Sequence, residues 1–150
     1  MAKWEIREYL TPHGTNPFRK WLLSLDRTVA ARIQARIYRF ELGNLGDVKE
    51  VMSRRSQNWN EGLAKDLKNP EFAKNFLMAS LEEGLSPQQA LRKVILIYGL
   101  KEFSKKVKIP SPNISRALNP KHNPTLETLN KLLKPFGLKL SVTPISERAA

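Results

Sequence analysis

The sequence contains no cysteine, and this absence excludes three kinds of site. A disulfide scaffold, a thiolate zinc site and a cysteine nucleophile all need that residue. The two histidines, His13 and His122, are far apart in the chain and have no cluster of carboxylates nearby. They therefore support neither a metal site nor a general base. We expect no metal, no cofactor and no enzymatic activity.

Long apolar runs are also missing. No uninterrupted apolar stretch approaches the length that spans a membrane, and the first residues, MAKWEIREYL, are too charged for a signal peptide. We therefore expect a soluble, cytoplasmic protein without a membrane partner. Hydrophobic residues still make up 41% of the chain, which is enough for a packed core in one ordinary domain or two small ones.

Acidic residues are scarce relative to basic ones. The chain has 26 Lys and Arg against 14 Asp and Glu, a net charge of +12. Such an excess favours polyanionic partners, because Lys and Arg release counterions from a phosphate backbone. Residues 53–150 carry a net charge of +9 and residues 1–52 a net charge of +3. Nine basic and two acidic side chains lie between residues 101 and 139, so we expect the function in that stretch.

Turn and cap residues divide the first 58 residues into short elements. Residues 4–10 alternate weakly between apolar and polar side chains, which predicts a short strand. Asn16 followed by Pro17 opens a short helix, and Asp26 caps a longer one. Residues 53–58 belong to a polar, basic and aperiodic stretch and predict a linker.

Turn and cap residues of the same kinds predict a helical domain over residues 59–144. An apolar stripe runs from Trp59 to Leu67, and five helices follow it. Alternation of Leu138, Leu140 and Val142 with polar residues predicts a terminal strand. The five helices begin after Asn69, after Ser86 with its capping box, at Lys101, at Ser111 and after Thr125.

These elements predict a mainly α fold in which a strand-helix-helix appendage precedes a five-helix domain. A lone strand at residues 4–9 is not stable by itself. We therefore predict that it pairs with residues 139–143, or that either strand pairs across a dimer. Residues 145–150 are expected to form a tail.

Residues 100–118 have the apolar pattern of a helix-turn-helix. Two short helices need such positions to hold each other at a steep angle against a third helix. The start of the second helix can then enter the major groove of DNA. The apolar positions are Phe103 and Val107 in the first helix, Ile109 in the turn, and Ile114 and Leu118 in the second helix.

The predicted DNA contacts form two groups. Arg can bond both acceptors of a guanine edge and Asn can bond adenine, whereas cationic and backbone donors suit phosphate. Each of these side chains could instead be a cap or a solvated surface group. The predicted base contacts are Ser111, Pro112, Asn113, Ser115 and Arg116, and the predicted phosphate contacts are Lys101, Lys105, Lys106, Lys108, Asn119, Lys121 and His122.

Residues 58–144 resemble the helix-turn-helix antitoxins of the HigA-like "addiction module antidote" group, within the Cro/phage-repressor (XRE) class. The matching stretches are LAKDLKNPEFAKNFLMASLEEG, ISRAL and NPTLETLNKLLKPFGLKLSV. The resemblance implies that Ser111, Pro112, Asn113 and Arg116 occupy base-facing positions of a recognition helix. It also implies that the protein represses its own operon.

Residues 1–50 resemble the first half of a RelE/HigB-like toxin over the stretch NPFRKWLLSLDRTVAARIQARIYRFELGNLGDVKEV. Members of that family are ribosome-associated ribonucleases that cut mRNA with residues mostly from later strands of their sheet. Those strands are absent here, because antitoxin-like residues follow Val51 directly. The resemblance implies a truncated toxin segment, residues 1–52, fused to an antitoxin and without ribonuclease activity.

The sequence favours a sequence-specific DNA-binding regulator that acts as a homodimer, since a two-fold dimer reads a palindrome. Two alternatives remain open. The chain could neutralise a separate RelE/HigB-like toxin with a silent helix-turn-helix, because Pro110 and Pro112 stand where the antitoxin family often has polar residues. It could also be a degenerate toxin with weak mRNA cleavage. We interpret the basic ridge of Arg32, Arg36 and Arg39 as a solvated face or an antitoxin-like contact rather than an RNA contact.

Overall fold

A computed structural model describes residues 4–43 and 55–145. Within these ranges the chain is mainly helical, with eight α-helices, one short 3-10 helix and one two-stranded sheet. None of the helices in these ranges is long and apolar enough to cross a membrane. The elements are β1 (Arg7–Tyr9), α1 (Pro17–Ser24), α2 (Arg27–Glu41), β2 (Ser56–Asn58), α3 (Trp59–Asp66), α4 (Pro70–Glu82), α5 (Pro87–Tyr98), α6 (Leu100–Val107), α7 (Ser111–Leu118), α8 (Leu126–Leu133) and the 3-10 helix Lys134–Phe136.

Six of the eight described α-helices begin after a capping side chain, and α6 and α7 do not. Asn16 and Asp26 accept backbone hydrogen bonds at the starts of α1 and α2. Ser86 and Gln89 form the predicted capping box of α5, and Thr125 caps α8. Each cap accepts a hydrogen bond from a backbone N–H that has no partner inside the helix. The predicted starts of these helices are confirmed.

One more helix than predicted follows residue 58. The apolar stripe from Trp59 to Leu67 is helix α3 with its C-cap, so that six α-helices occupy residues 59–133. Trp59, Leu63 and Leu67 are four residues apart and all buried. The prediction of five helices is wrong by this one, because two turns of helix give only a weak periodic signal.

The sheet joins two segments that the sequence patterns do not connect. Strand β1 lies within the predicted strand and is antiparallel to β2, with Arg7 opposite Asn58 and Tyr9 opposite Ser56. The predicted linker, residues 53–58, is therefore wrong for residues 56–58, while residues 53 and 54 lie outside the described ranges. The predicted pairing of β1 with residues 139–143 is also wrong.

No strand follows the last helix within the described residues. Residues 138–145 have neither helix nor strand, so the predicted terminal strand does not form in this chain alone. A strand needs a partner, and neither strand of the described sheet lies beside this segment. The Leu140 N–H instead donates to Asn130 Oδ1 at 2.7 Å. Of the predicted tail, residues 145–150, only Ile145 is described, and it is exposed.

One hydrophobic core extends across the predicted boundary between residues 1–52 and 59–144. Helix α2 packs against α4, and the rings of Tyr38 and Phe76 stack with centroids 6.0 Å apart. The core also takes in Leu22 of α1, Leu91 of α5 and Leu132 of α8. The N-terminal elements are thus packed on the helices that support α6 and α7.

The arginines of the predicted basic ridge form ion pairs with glutamates of the same chain. Arginines of α2 form ion pairs with glutamates of α4 and with Glu83, the residue that follows α4. The Arg36 guanidinium, hydrogen-bonded to Glu83, lowers the pKa of that carboxyl. These exposed pairs favour the interpretation of the ridge as a solvated face. The pairs are Arg27–Glu71, Arg32–Glu82, Arg36–Glu83 and Arg39–Glu83.

A polar cluster in the interior connects α1, α2 and α3. The Trp59 indole N–H donates to Gln34 Oε1 at 2.5 Å, and Gln34 Nε2 donates to Asp66 Oδ2 at 2.5 Å. Arg19 Nη2 donates to the same carboxylate oxygen at 2.7 Å. Burial raises the pKa of Asp66, and Arg19 opposes that shift. The cluster fixes α3 to the N-terminal helices, since a buried polar group without a partner is costly.

A buried ion pair connects the end of α2 with α5. Lys93 Nζ donates to Glu41 Oε2 and lies 5.1 Å and 5.0 Å from the ring centroids of Tyr38 and Trp59. Burial lowers the pKa of Lys93, and the hydrogen bond to Glu41 opposes that shift. The pair joins the N-terminal elements to the helix on which α6 and α7 rest.

Candidate nucleic-acid interface

Helices α6 and α7 are eight residues each, and residues 108–110 join them. The predicted bounds are confirmed to within one residue. Both helices pack against α5 and against each other. The apolar positions expected from the sequence hold this pair: Phe103, Ile114 and Leu118 are buried, and Val107 and Ile109 pack against the core.

Lys108 turns the chain between the two helices. Its φ of 56° and ψ of 38° are left-handed, and no other non-glycine residue in the described ranges has a positive φ. The Lys108 N–H donates to Ser104 O, and Ser104 Oγ donates to Ile109 O at 2.6 Å. A left-handed conformation costs a residue with a Cβ about 1–2 kcal/mol. These hydrogen bonds and the packing of Ile109 offset that cost.

We expect Lys108→Gly to increase the free energy of unfolding by roughly 0.5–1 kcal/mol, because the relieved strain exceeds the extra chain entropy of glycine. Lys108→Ala is the matched control, since it removes the same charge and keeps the strain. Urea unfolding of the two variants measures the difference. A glycine variant that is no more stable than the alanine variant would show that the turn is not strained.

The structure brings all five predicted base-contact residues together on α7. Pro112, Asn113, Ser115 and Arg116 are exposed, and Ser111 is half-buried. Asn113 and Arg116 are three residues apart and therefore neighbours on one side of the helix. Neither of their side chains has a hydrogen bond or an ion pair to another described residue. This side of α7 thus offers one amide and one guanidinium to an external partner.

Pro110 and Pro112 reduce the number of free backbone N–H groups at the start of α7 without breaking the helix. Pro112 has no N–H, and the Asn113 N–H donates to Pro110 O at 2.9 Å. Ser111 is left as the amide donor of the first turn. Few backbone donors are therefore left at this helix start, and side chains must supply the remaining contacts.

Exposed cations surround α7 on two sides. Lys105 Nζ lies 3.3 Å from Glu102 Oε1, an exposed pair of small energetic weight. Lys106 Nζ lies 5.5 Å from the ring centroid of Tyr98. Asn119 is different, because its Oδ1 accepts a hydrogen bond from the Lys121 N–H at 2.9 Å and so shapes the loop. The exposed members of the predicted phosphate set are Lys101, Lys105, Lys106, Lys108, Lys121 and His122.

The acidic side chains of the described residues are mostly engaged elsewhere. Those of α4 pair with arginines of α2, Asp66 pairs with Arg19, and Glu41 pairs with Lys93. Between residues 100 and 140 the acidic residues are Glu102 and Glu127. Residues 101–139 consequently carry a net charge of +7 out of the +12 of the chain, on α6, α7 and the segments that follow.

Gln88 has a role that sequence reasoning missed. Its Nε2 donates to Ala117 O at 2.8 Å and to His122 O at 2.9 Å. The first turn of α5 is therefore tied to the end of α7 and to the loop that carries Lys121. No sequence signal could reveal this contact, because the acceptors are backbone carbonyls at a distance of 29 and 34 residues.

We expect Gln88→Ala to weaken binding of specific DNA about fivefold, since loss of one net hydrogen bond of about 1 kcal/mol loosens the end of α7. Binding to random DNA should change less, because phosphate contacts tolerate small shifts of the helix. Fluorescence anisotropy with both duplexes measures the two effects, and thermal unfolding checks that the variant is folded. Unchanged specific binding would contradict a positioning role for Gln88.

Comparison with known proteins finds no matching family model, curated protein or solved structure for this chain. The described residues also contain no group of three or more His, Asp or Glu that could hold a metal ion. The candidate interface is the surface of α6 and α7. Its distinguishing features are the unpaired side chains of Asn113 and Arg116 and the lysines beside them.

Proposed function

We propose that this protein is a sequence-specific DNA-binding transcriptional regulator with a Cro/phage-repressor-like helix-turn-helix, in which α7 is the recognition helix. The observation that carries the proposal is that the side chains of Asn113 and Arg116 are exposed and have no described partner, on a short helix set among exposed lysines. Arg116 would bond the two acceptors of a guanine edge and Asn113 would bond adenine. Ser111 and Ser115 would contribute shorter hydrogen bonds from the same helix.

Phosphate contacts would come from both sides of the recognition helix. Lys101, Lys105 and Lys106 lie on α6 and Lys108 lies in the turn, whereas the loop with Lys121 follows α7. Contacts from two sides fix the orientation of a helix in the groove without reading sequence. The exposed ammonium groups on both sides suit this task.

The resemblance to HigA-like antitoxins supports an antitoxin-type regulator that represses its own operon in the cytoplasm. Such a regulator binds as a homodimer, because each module reads one half-site. We assign no catalytic role to the chain. The RelE/HigB-like N-terminal segment supports the helix-turn-helix through its packing on α4 and α5.

Binding to a protein is the second candidate function. Leu23 of α1 is 70% exposed and lines a mainly apolar groove together with Leu22, Leu25, Ala30 and Phe72. An exposed apolar groove favours a protein partner, and a RelE/HigB-like toxin is the partner that the sequence resemblance implies. Weak mRNA cleavage has no comparable support, since the arginine ridge is paired within the chain.

A mobility-shift salt series tests the proposal, with DNA from upstream of the gene and a random duplex of the same length. Lys106→Ala is expected to weaken both duplexes alike and to reduce the slope of log K against log salt concentration by about 1. Lys20→Ala removes the same charge from α1 and should leave the slope unchanged. Equal binding of both duplexes by the wild type would favour the protein-binding candidate instead.

A further inference from the structure

We infer that residues 139–143 pair with the same residues of a second copy of the chain, in an antiparallel ribbon with a two-fold axis at Leu140. The choice of a second copy rests on the proposed function, because a dimer with two-fold symmetry presents two recognition helices to a palindromic site. The ribbon would supply the partner strand that residues 138–145 lack within the described chain.

The apolar side chains of this segment are only half covered. Leu138 and Leu140 pack against the core, whereas Val142 is 95% and Ile145 is 87% exposed. A segment that alternates apolar and polar residues buries one side of a sheet when it is paired. The exposed end of the pattern therefore indicates a missing neighbour, since neither β1 nor β2 pairs with this segment.

The hydrogen bond of Leu140 shows which side of the segment is free. Its N–H donates to Asn130 Oδ1 of α8 at 2.7 Å. In a strand the backbone groups of successive residues point to opposite sides. When the segment is extended, the backbone N–H and C=O groups of Lys139 and Ser141 therefore point away from α8. These groups are available to a second strand.

The side chains select the register of the ribbon. An axis at Leu140 places Leu140 opposite its own copy, Leu138 opposite Val142, and Lys139 opposite Ser141. No lysine then lies opposite a lysine, whereas an axis at Lys139 would place two like charges together, which destabilises a strand pair. An axis at Ser141 would leave two apolar pairs, Leu140 with Val142 in each direction, and would place Leu138 opposite Pro144. The register at Leu140 thus combines three apolar pairs with no pair of like charges.

Two charge variants of the full chain test this register without DNA. Ser141→Glu places a carboxylate opposite Lys139 of the other copy, and Ser141→Lys places a second ammonium group there. Because each dimer contains two such pairs, we expect the dimer Kd of the Glu variant to be at least about tenfold lower than that of the Lys variant. Sedimentation equilibrium over a concentration series measures both constants. The double variant Lys139→Glu/Ser141→Lys should restore wild-type dimerisation.

Each other outcome overturns the ribbon. Equal dimer constants for the two variants would show that residue 141 does not face Lys139 of a second copy. Weakening by both substitutions would place Ser141 opposite itself and exclude the axis at Leu140. Thermal unfolding confirms that the variants are folded, as is expected for an exposed position.

Failure of the ribbon and failure of DNA binding are distinguishable. Charge-dependent dimerisation without preference for upstream DNA would support the ribbon and overturn the regulator. Specific binding of upstream DNA together with equal dimer constants would overturn the ribbon and leave the regulator.

Discussion

Lys93→Met is expected to decrease the free energy of unfolding by about 3–5 kcal/mol, the typical cost of breaking a buried ion pair from one side. The side chains of Lys93 and Glu41 are only 11% and 5% exposed. Without Lys93, Glu41 stays buried with the Asn60 amide as its remaining donor, at 2.9 Å. A loss of this size is a large fraction of the stability of about 5–15 kcal/mol that is usual for a small protein. Urea unfolding measures it.

Two further variants distinguish the cost of leaving Glu41 buried without its partner from the cost of losing any ion pair of α2. The double variant Lys93→Met/Glu41→Leu should recover most of the loss, because apolar residues often replace a buried ion pair without cost. Arg36→Met breaks an exposed pair of the same helix and should cost less than about 1 kcal/mol. A Lys93→Met protein as stable as the wild type would show that the pair does not hold α2 on α5.

Arg116→Ala is expected to weaken binding to the operator by about 1–3 kcal/mol, a factor of roughly 5 to 150, and to relax the preference for one base pair. The reason is that Arg116 is the one long cationic side chain of α7, and it has no partner among the described residues. Binding to random DNA should fall much less, because base edges contribute little there. Titration of operator and random duplexes in the same buffer gives both values.

Arg116→Lys is the matched control for this prediction. Lysine keeps the charge but loses the planar pair of donors that matches a guanine edge. Operator binding should therefore fall while the salt dependence is preserved. If Arg116→Ala instead weakened both duplexes by the same factor, Arg116 would be a phosphate contact and α7 would not read bases through it.

The local parts of the fold could be predicted from the sequence. Asn16, Asp26, Ser86 and Thr125 mark helix starts because a side-chain oxygen can satisfy an N–H two or three residues away, which needs no tertiary information. The bounds of α6 and α7 follow from the spacing of Phe103 and its apolar companions in the same way.

The parts that depend on distant contacts could not be predicted. Nothing local connects Arg7 with Asn58, so β2 reads as a polar linker until β1 is placed beside it. The polar cluster of Gln34 and Trp59 was equally hidden, since an interior glutamine has no sequence signature. The predicted terminal strand is wrong for this chain alone because alternation fixes which side of a strand is buried, not whether a partner exists.

In the candidate site, too, local features could be predicted from the sequence and features that depend on distant contacts could not. Which residues of α7 are exposed follows from its apolar spacing, and the structure confirms that Asn113 and Arg116 are on the outside. The support from Gln88, and the turn geometry of Lys108, depend on backbone positions that a sequence does not specify.

The most direct test of the central claim is a competition experiment at about 150 mM salt, near physiological ionic strength. Wild-type protein bound to labelled DNA from upstream of its gene is challenged with unlabelled upstream and random duplexes of equal length. If α7 reads bases, the random duplex should compete at least about a thousandfold less well. Equal competition by the two duplexes would contradict the proposal that this protein is a sequence-specific regulator.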